Sequence, residues 1–204
     1  ATAIKANLQN FGEYTLRTDP TLTHCRKLAH HFRLSWHSKH HRGFFLRSED
    51  FFAYIKKIEQ ERDHSYRTLQ KTKHNFPQSS SYAQKLAQSP HRNTLHQIQR
   101  QFGENADGQS HGEGYLSLFR YRLNRPGLFI IDEAEAALSP VRQLSLIDLI
   151  LQTVRKGGQF FLATHSPILM AIPNATIFSL DNGELTKQNY NDLDSIQFYR
   201  DFLH

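Results

Sequence analysis

The segment from residue 127 to residue 140 constrains the fold more than any other part of the chain. It opens with an unbroken apolar run, which is typical of a strand buried on both faces of a parallel sheet. The run ends in two adjacent carboxylates, Asp132 and Glu133. Ser139 suits a helix N-cap and Pro140 the first helical position. Because parallel α/β sheets bind ligands at the carboxyl ends of their strands, the acid pair is predicted to lie at a binding edge.

A second segment, residues 158–167, repeats this order. An apolar run ends near His165, and Ser166 and Pro167 then suit the start of a helix. Two acids at one strand end could be solvated loop residues. The repeated pattern instead favours neighbouring parallel strands with acids and an imidazole at one edge, a layout suited to phosphate chemistry.

Three motifs resemble those of a known family. Residues 128–140 resemble the Walker B segment and D-loop of ATP-binding-cassette ATPases, and residues 163–167 resemble their H-loop. Residues 110–113 are similar to the signature motif. The pattern resembles small soluble AAA-family ATPases of the cassette type, related to the ATPase heads of DNA-repair and chromosome-maintenance proteins. The resemblance covers roughly residues 43–55 and 105–204.

The resemblance implies an α/β fold, a three-layer, mostly parallel sheet of the P-loop NTPase type with a small helical subdomain inserted. It divides the chain into an ATPase core, residues 1–47 and 105–204, and a helical subdomain, residues 48–104. Residues 175–180 are predicted to form a further strand, followed by a tight hairpin turn at residues 181–184. The strand that leads into the phosphate loop would lie beside it, and this chain is predicted to lack that strand.

The resemblance also implies ATP hydrolysis with Mg²⁺. Asp132 would bind the metal, because a hard cation prefers carboxylate oxygen. Glu133 would deprotonate the attacking water as the general base. His165 would contact the γ-phosphate and align that water.

The signature and D-loop residues imply a head-to-tail homodimer. Ser110, His111, Gly112 and Glu113 would contact the nucleotide held by the second subunit, and Ser139 would lie at the dimer seam. Ser110 and Glu113 also satisfy a capping box, which explains them by structure alone.

The junction at residues 43–49 corresponds to the Q-loop, where the family has a glutamine. This sequence has Arg47 and Glu49 instead. Arg47 is interpreted either as a nucleotide-binding residue or as the partner of an acid, and Glu49 as a first-turn helix charge. The helix is predicted to start near Ser48 and to pack through Phe51 and the apolar residues that follow.

No Gly-Lys dipeptide occurs in the 204 residues, although a phosphate loop requires one. The first eight residues have helical spacing without an N-cap, so we expect the sequence to begin just past that loop and to be inactive as given. The alternative is a cassette fold without its phosphate loop that acts as a non-hydrolysing scaffold or a nucleic-acid-associated subunit.

Composition limits the kinds of partner and environment that the chain fits. The formal charge is +6, with Lys and Arg concentrated before residue 125, which fits either a nucleic-acid surface or a solvated basic face. Hydrophobic residues make up 38%, and no apolar run reaches the length of a membrane span. Cys25 is the single cysteine, which fits a reducing cytoplasm. The histidines of residues 24–41 match no compact metal-ligand spacing.

The helix after Pro140 is predicted to pack on the sheet through a broad apolar stripe and to end at Lys156 and Gly157. A last helix is predicted to have Ser195 as its N-cap. The stripe comprises Val141, Leu144, Ile147, Leu149, Ile150 and Leu151.

Overall fold

The computed structural model describes residues 1–12, 14–36, 42–75, 81–102, 111–180 and 183–203. Its main element is a four-stranded parallel sheet in the order β1-β2-β3-β4. The strands are β1 (Gln9–Asn10), β2 (Gly43–Arg47), β3 (Leu128–Asp132) and β4 (Gln159–Ala163). Helices connect these strands, so the predicted α/β class with a mostly parallel sheet is confirmed. The short strand β1 was not predicted.

Eight α-helices lie within the described residues. Three 3₁₀ turns, at Pro20–Leu22, Ala134–Ala137 and Tyr190–Asp192, connect other elements. The helices are α1 (Thr2–Lys5), α2 (Thr23–Ala29), α3 (Ser48–Asn75), α4 (Ser81–Phe102), α5 (His111–Arg122), α6 (Pro140–Arg155), α7 (Pro167–Met170) and α8 (Asp194–Leu203).

The core lies where the central strands meet α5 and α6. Phe44 of β2 packs against Phe129 of β3, with ring centroids 5.2 Å apart. Tyr115 of α5 and Leu146 of α6 are fully buried in the same core. Gly43, at a φ of 145°, begins β2 where an added Cβ would collide with the backbone of β3. These contacts hold β2 and β3 side by side and so determine where each of the two strands ends.

Helices α3 and α4 form an antiparallel pair. The side-chain amide of Gln101 donates to the Tyr54 hydroxyl at 2.8 Å, which joins the start of α3 to the end of α4. Farther along, the rings of His64 and His91 lie 5.7 Å apart. The loop predicted at residues 75–81 falls largely on residues 76–80, which lie outside the described residues.

The stripe predicted for α6 is partly wrong. Leu146 and Ile150 are buried, but Val141 and Leu144 are 73% and 59% exposed. The apolar residues of this helix occupy more than one face, and the face toward the core follows the 3–4 spacing that includes Leu146 and Ile150. The predicted end is confirmed, with Lys156 at the C-cap and Gly157 at a φ of 93°.

Ser195 is not the N-cap of the last helix. Helix α8 begins at Asp194, and the carbonyl of Leu193 accepts its first main-chain hydrogen bonds, from Ile196 and Gln197. Ser195 therefore lies inside the first turn.

Strands β5 (Ile177–Ser179) and β6 (Thr186–Gln188) form a separate antiparallel pair. The strand predicted at residues 175–180 is thus present in shorter form. Among the described strands it pairs only with β6. Residues 181 and 182 of the predicted turn lie outside the described residues. No helix in the described ranges combines the length and hydropathy needed to cross a membrane.

Candidate functional site

The carboxyl end of β3 carries the acid pair. Asp132 is half-buried and aligns with Arg47 of β2 on one side and Ala163 of β4 on the other. Glu133 follows in a left-handed conformation (φ 52°, ψ 48°), and its N–H donates to the carbonyl of Ala163 at 2.9 Å. Its side chain is exposed. The chain therefore turns out of the sheet directly beside the end of β4.

Glu135 joins this turn to the segment after β4. Its Oε1 atom accepts hydrogen bonds from Thr164 Oγ1 at 2.7 Å, from the N–H of His165 at 2.6 Å and from the N–H of Ser166 at 3.1 Å. The His165 side chain remains exposed. One carboxylate thus holds the backbone of the histidine segment at the edge where the acid pair lies.

Gln143 of α6 forms a second connection. Its Oε1 accepts from Ser166 Oγ at 2.5 Å, and its Nε2 donates to the carbonyl of Leu138 at 3.1 Å. Ser166 also caps α7 by accepting from the N–H groups of Ile168 and Leu169, as its sequence position predicts. Sequence reasoning found neither Glu135 nor Gln143.

The edge carries an excess of negative charge. Burial raises the pKa of Asp132, and the Glu133 carboxylate raises it further, whereas Arg47 opposes this shift. Burial also raises the pKa of the Tyr115 phenol, with contributions from the charges of Glu135 and Asp132. Among the described residues, neither the Tyr115 hydroxyl nor Glu135 Oε2 has a hydrogen-bond partner, although both are buried. Such an arrangement favours a nearby cation.

Arg47 lies in a network of acids. Its guanidinium pairs with both carboxylate oxygens of Asp50, at 2.9 and 3.0 Å, and with Asp19 at 2.7 Å. The remaining contacts are to Thr21 Oγ1 and Glu49 Oε1, both at 3.0 Å. Five N–H donors thus have five oxygen partners, which favours the acid-partner interpretation of Arg47. Nucleotide binding by Arg47 would require one of these contacts to break.

The network also shifts the pKa values of Asp19 and Arg47. Burial alone would raise the pKa of Asp19, but hydrogen bonds from Thr21 and the charge of Arg47 outweigh burial and lower the pKa. Hydrogen bonding to Asp50 raises the pKa of Arg47. The ion pairs are largely buried, because the side chains of Arg47 and Asp19 are 15% and 2% exposed.

The signature segment is described in part. Ser110 lies outside the described residues, and α5 begins at His111 and Gly112. Glu113 Oε1 accepts a hydrogen bond from the guanidinium of Arg142 at 3.0 Å. This contact places the start of α5 beside the first turn of α6.

Ser139 occupies the N-cap position of α6 and Pro140 follows at the first helical position, as predicted. The Ser139 side chain makes no capping hydrogen bond and is exposed. Exposed Val141 and Leu144 follow on the same helix.

The described residues contain no group of three or more His, Cys, Asp or Glu side chains that could hold a metal ion by themselves. His24, His30 and His31 belong to this part of the chain, whereas His37, His40 and His41 lie outside it. Any cation at Asp132 would therefore need further oxygen ligands, such as phosphate or water.

The parallel sheet and its acidic carboxyl edge define the class first: an α/β domain whose polar site lies where such sheets bind ligands. The family model described as "AAA domain, putative AbiEii toxin, Type IV TA system" matches residues 3–171. The chain belongs to this family and is an AAA domain of the P-loop NTPase type. Comparisons with curated proteins and with solved structures found no significant match.

Proposed function

We propose that the full-length protein is a cassette-type ATPase that converts ATP and water to ADP and phosphate with Mg²⁺. The observation that carries this proposal is the Glu135 connection, which holds the His165 backbone at the edge where Asp132 and Glu133 end strand β3. An acid pair and an imidazole at one strand edge fit phosphoryl transfer to water.

Asp132 is the proposed metal ligand. Its carboxylate is half-buried, and both burial and the neighbouring Glu133 raise its pKa. A divalent cation would relieve both effects, because it stabilises the charged carboxylate. The oxygen donor suits Mg²⁺, which takes one or two carboxylates together with phosphate and water ligands. When bound, Mg²⁺ would neutralise charge on the phosphates.

Glu133 is the proposed general base. Its left-handed backbone takes the side chain past the end of the strand, where the carboxylate is exposed and can accept a proton from water. His165 is the proposed γ-phosphate contact. Because Glu135 fixes its main chain, the exposed imidazole starts from a defined position.

We further propose a head-to-tail homodimer. Ser110, His111, Gly112 and Glu113 would contact the nucleotide of the partner subunit through the N-terminus of α5. The Glu113–Arg142 contact supports this idea, because it joins the signature helix to the helix that begins at Ser139.

The exposed side chains of α6 support the same seam. Ser139 makes no capping bond, and Val141 and Leu144 are exposed close to it. Apolar residues at this position fit a surface that a second subunit covers.

Calorimetric titration of full-length protein with ATP, with and without Mg²⁺, tests the proposal. We expect Mg²⁺-dependent binding that weakens by about tenfold or more, equivalent to about 1.4 kcal/mol, in Asp132→Asn. Asp201→Asn, on the exposed part of α8, is the matched control and should bind like the wild type. Absence of ATP binding to the full-length protein would favour the scaffold alternative. Equal binding by Asp132→Asn would exclude Asp132 as the metal ligand.

A further inference from the structure

A cavity of 1010 Å³ lies at the amino ends of the strands, whereas the acid pair lies at their carboxyl ends. Gln9 and Gly43, the first residues of β1 and β2, line it, whereas Asp132 is the last residue of β3. The five residues of β2 separate the two edges by about 13 Å at the usual rise per residue. The cavity is therefore distinct from the proposed ATP site.

The cavity lining is strongly basic. Among the residues that the structure describes, the lining includes five cationic side chains and no carboxylate. In the part of the chain that the structure describes, none of the five forms an ion pair with an acid, in contrast to Arg47 with its three carboxylates. Uncompensated charge around one concavity attracts an anion. The five cations are Lys5, Arg33, Arg42, Arg122 and Arg125.

Arg122 shows this lack of compensation most clearly. Its Nε is buried without a hydrogen-bond partner in the described chain, and its Nη1 reaches only Gln9 Oε1, at 3.4 Å. The guanidinium carbon lies 5.1 Å from the ring centroid of Phe11, so an aromatic face holds the side chain instead of an acid. A guanidinium held in this way keeps donors for a ligand.

Aromatic side chains line the same cavity as the cations. Phe32 and Tyr121 line the cavity and are 38% and 43% exposed. Trp36 lines it as well and is the single tryptophan of the chain. Exposed aromatic faces among arginines are the features on which nucleic-acid bases stack. The amides of Asn7 and Asn124 add donors and acceptors suited to base edges.

We infer that this cavity binds a nucleotide by its phosphate and its base together, either as a free nucleotide or as a unit of single-stranded nucleic acid. The arginines pair with phosphate, and the aromatic rings stack on the base. The volume is at the upper end of the range of about 300–1,000 Å³ found for small-molecule sites, so it accommodates a whole nucleotide. The site needs no metal and no triphosphate.

Trp36 provides the measurement. Its fluorescence should be quenched when a base stacks nearby, and EDTA in the buffer excludes the proposed Mg²⁺-dependent ATP site. The probes are a thymidine oligonucleotide, thymidine monophosphate and inorganic phosphate. Quenching by the oligonucleotide alone identifies a strand as the ligand, and equal quenching by the monophosphate identifies a free nucleotide. Quenching by none of them, or displacement by inorganic phosphate as effective as by thymidine monophosphate, would overturn the inference.

Charge reversal locates the binding. Arg33 and Arg125 are exposed, so Arg33→Glu with Arg125→Glu should fold normally, which thermal unfolding checks. The double variant should weaken the affinity for the bound probe by about tenfold or more and reduce its salt dependence. Arg155→Glu, an exposed arginine outside the cavity, is the matched control and should change affinity little. Unchanged binding in the double variant, or an equal loss in Arg155→Glu, would contradict the inference.

Discussion

The Oε1 atom of Glu135 accepts the main-chain N–H of His165 at 2.6 Å. This bond joins the turn after β3 to the turn after β4, across 30 residues of sequence. It fixes the histidine backbone relative to the acid pair without using the imidazole. Glu135 is therefore a positioning residue in the proposed reaction.

Replacement of Glu135 by alanine should misplace His165. The loss of three hydrogen bonds to one carboxylate should lower the free energy of unfolding by about 1–3 kcal/mol. The kcat for ATP should fall by about tenfold or more and KM should change less, because the γ-phosphate contact of His165 is one of several proposed nucleotide contacts. Steady-state hydrolysis and urea unfolding of the full-length protein measure both effects.

The control for this variant is Glu135→Gln. Glutamine keeps an oxygen that can accept from Thr164, His165 and Ser166, so its kcat should stay close to the wild-type value. A kcat for Glu135→Gln as low as that for Glu135→Ala would assign the effect to the charge of Glu135 and not to its hydrogen bonds.

Removal of the Arg47 guanidinium should destabilise the fold. In Arg47→Met the buried carboxylates of Asp19 and Asp50 lose their cation. Breaking a buried ion pair in this way costs about 3–5 kcal/mol, and urea unfolding at neutral pH measures it. Arg67→Met, an arginine on the exposed part of α3, should stay within about 0.5 kcal/mol of the wild type. If Arg47→Met lowered the free energy of unfolding by less than about 0.5 kcal/mol, this would contradict the account of the network.

The same network predicts a dependence of stability on acid. The folded-state pKa of Asp19 is below its ordinary value of 3.8, so its contribution is fully present above that pH. This stabilisation is lost as the pH falls from the ordinary value through the folded-state pKa, because in that range the unfolded chain binds the proton more readily than the folded chain does. Asp19→Asn should remove this part of the acid dependence, which unfolding measured between about pH 5 and pH 2 would show. An unchanged pH profile would rule out the Asp19 contribution.

The contribution of Asp132 to the pH dependence of stability has the opposite sign. Its folded-state pKa is raised, so folding opposes the charged form, and stability is lost as the pH rises from the ordinary value of 3.8 through the folded-state pKa. At neutral pH, Asp132→Asn should therefore be slightly more stable than the wild type without metal, by less than about 1 kcal/mol because the group is half-exposed. Thermal unfolding in EDTA measures this gain. Lower stability in Asp132→Asn would contradict the proposed charge repulsion.

Short sequence patterns predicted the strands and helix ends, because these depend on residues close together in the chain. The apolar runs that end at Asp132 and Ala163 became neighbouring parallel strands, as their pattern predicted. Strand β3 is buried or half-buried along its length, whereas β4 leaves one face exposed, with Phe161 49% exposed. Ser166 caps a helix, and Gly157 takes a positive φ, as residue type and position predicted.

Long-range contacts were not predictable in this way. Glu135 contacts a segment 30 residues away and Gln143 one 23 residues away, and no short spacing indicates either contact. Strand β1 has two residues, too few for a periodic pattern. On α6, apolar residues on several faces did not indicate which face is buried, so Val141 was wrongly assigned to the core.

The central claim is that Glu133 removes a proton from the water that attacks ATP. Single-turnover phosphate release by full-length Glu133→Gln tests it most directly, with Glu61→Gln on the exposed face of α3 as the matched control. We predict ATP affinity close to that of the wild type and phosphate release slower by about 10²–10⁴-fold in Glu133→Gln only. Phosphate release at the wild-type rate in Glu133→Gln would contradict the account.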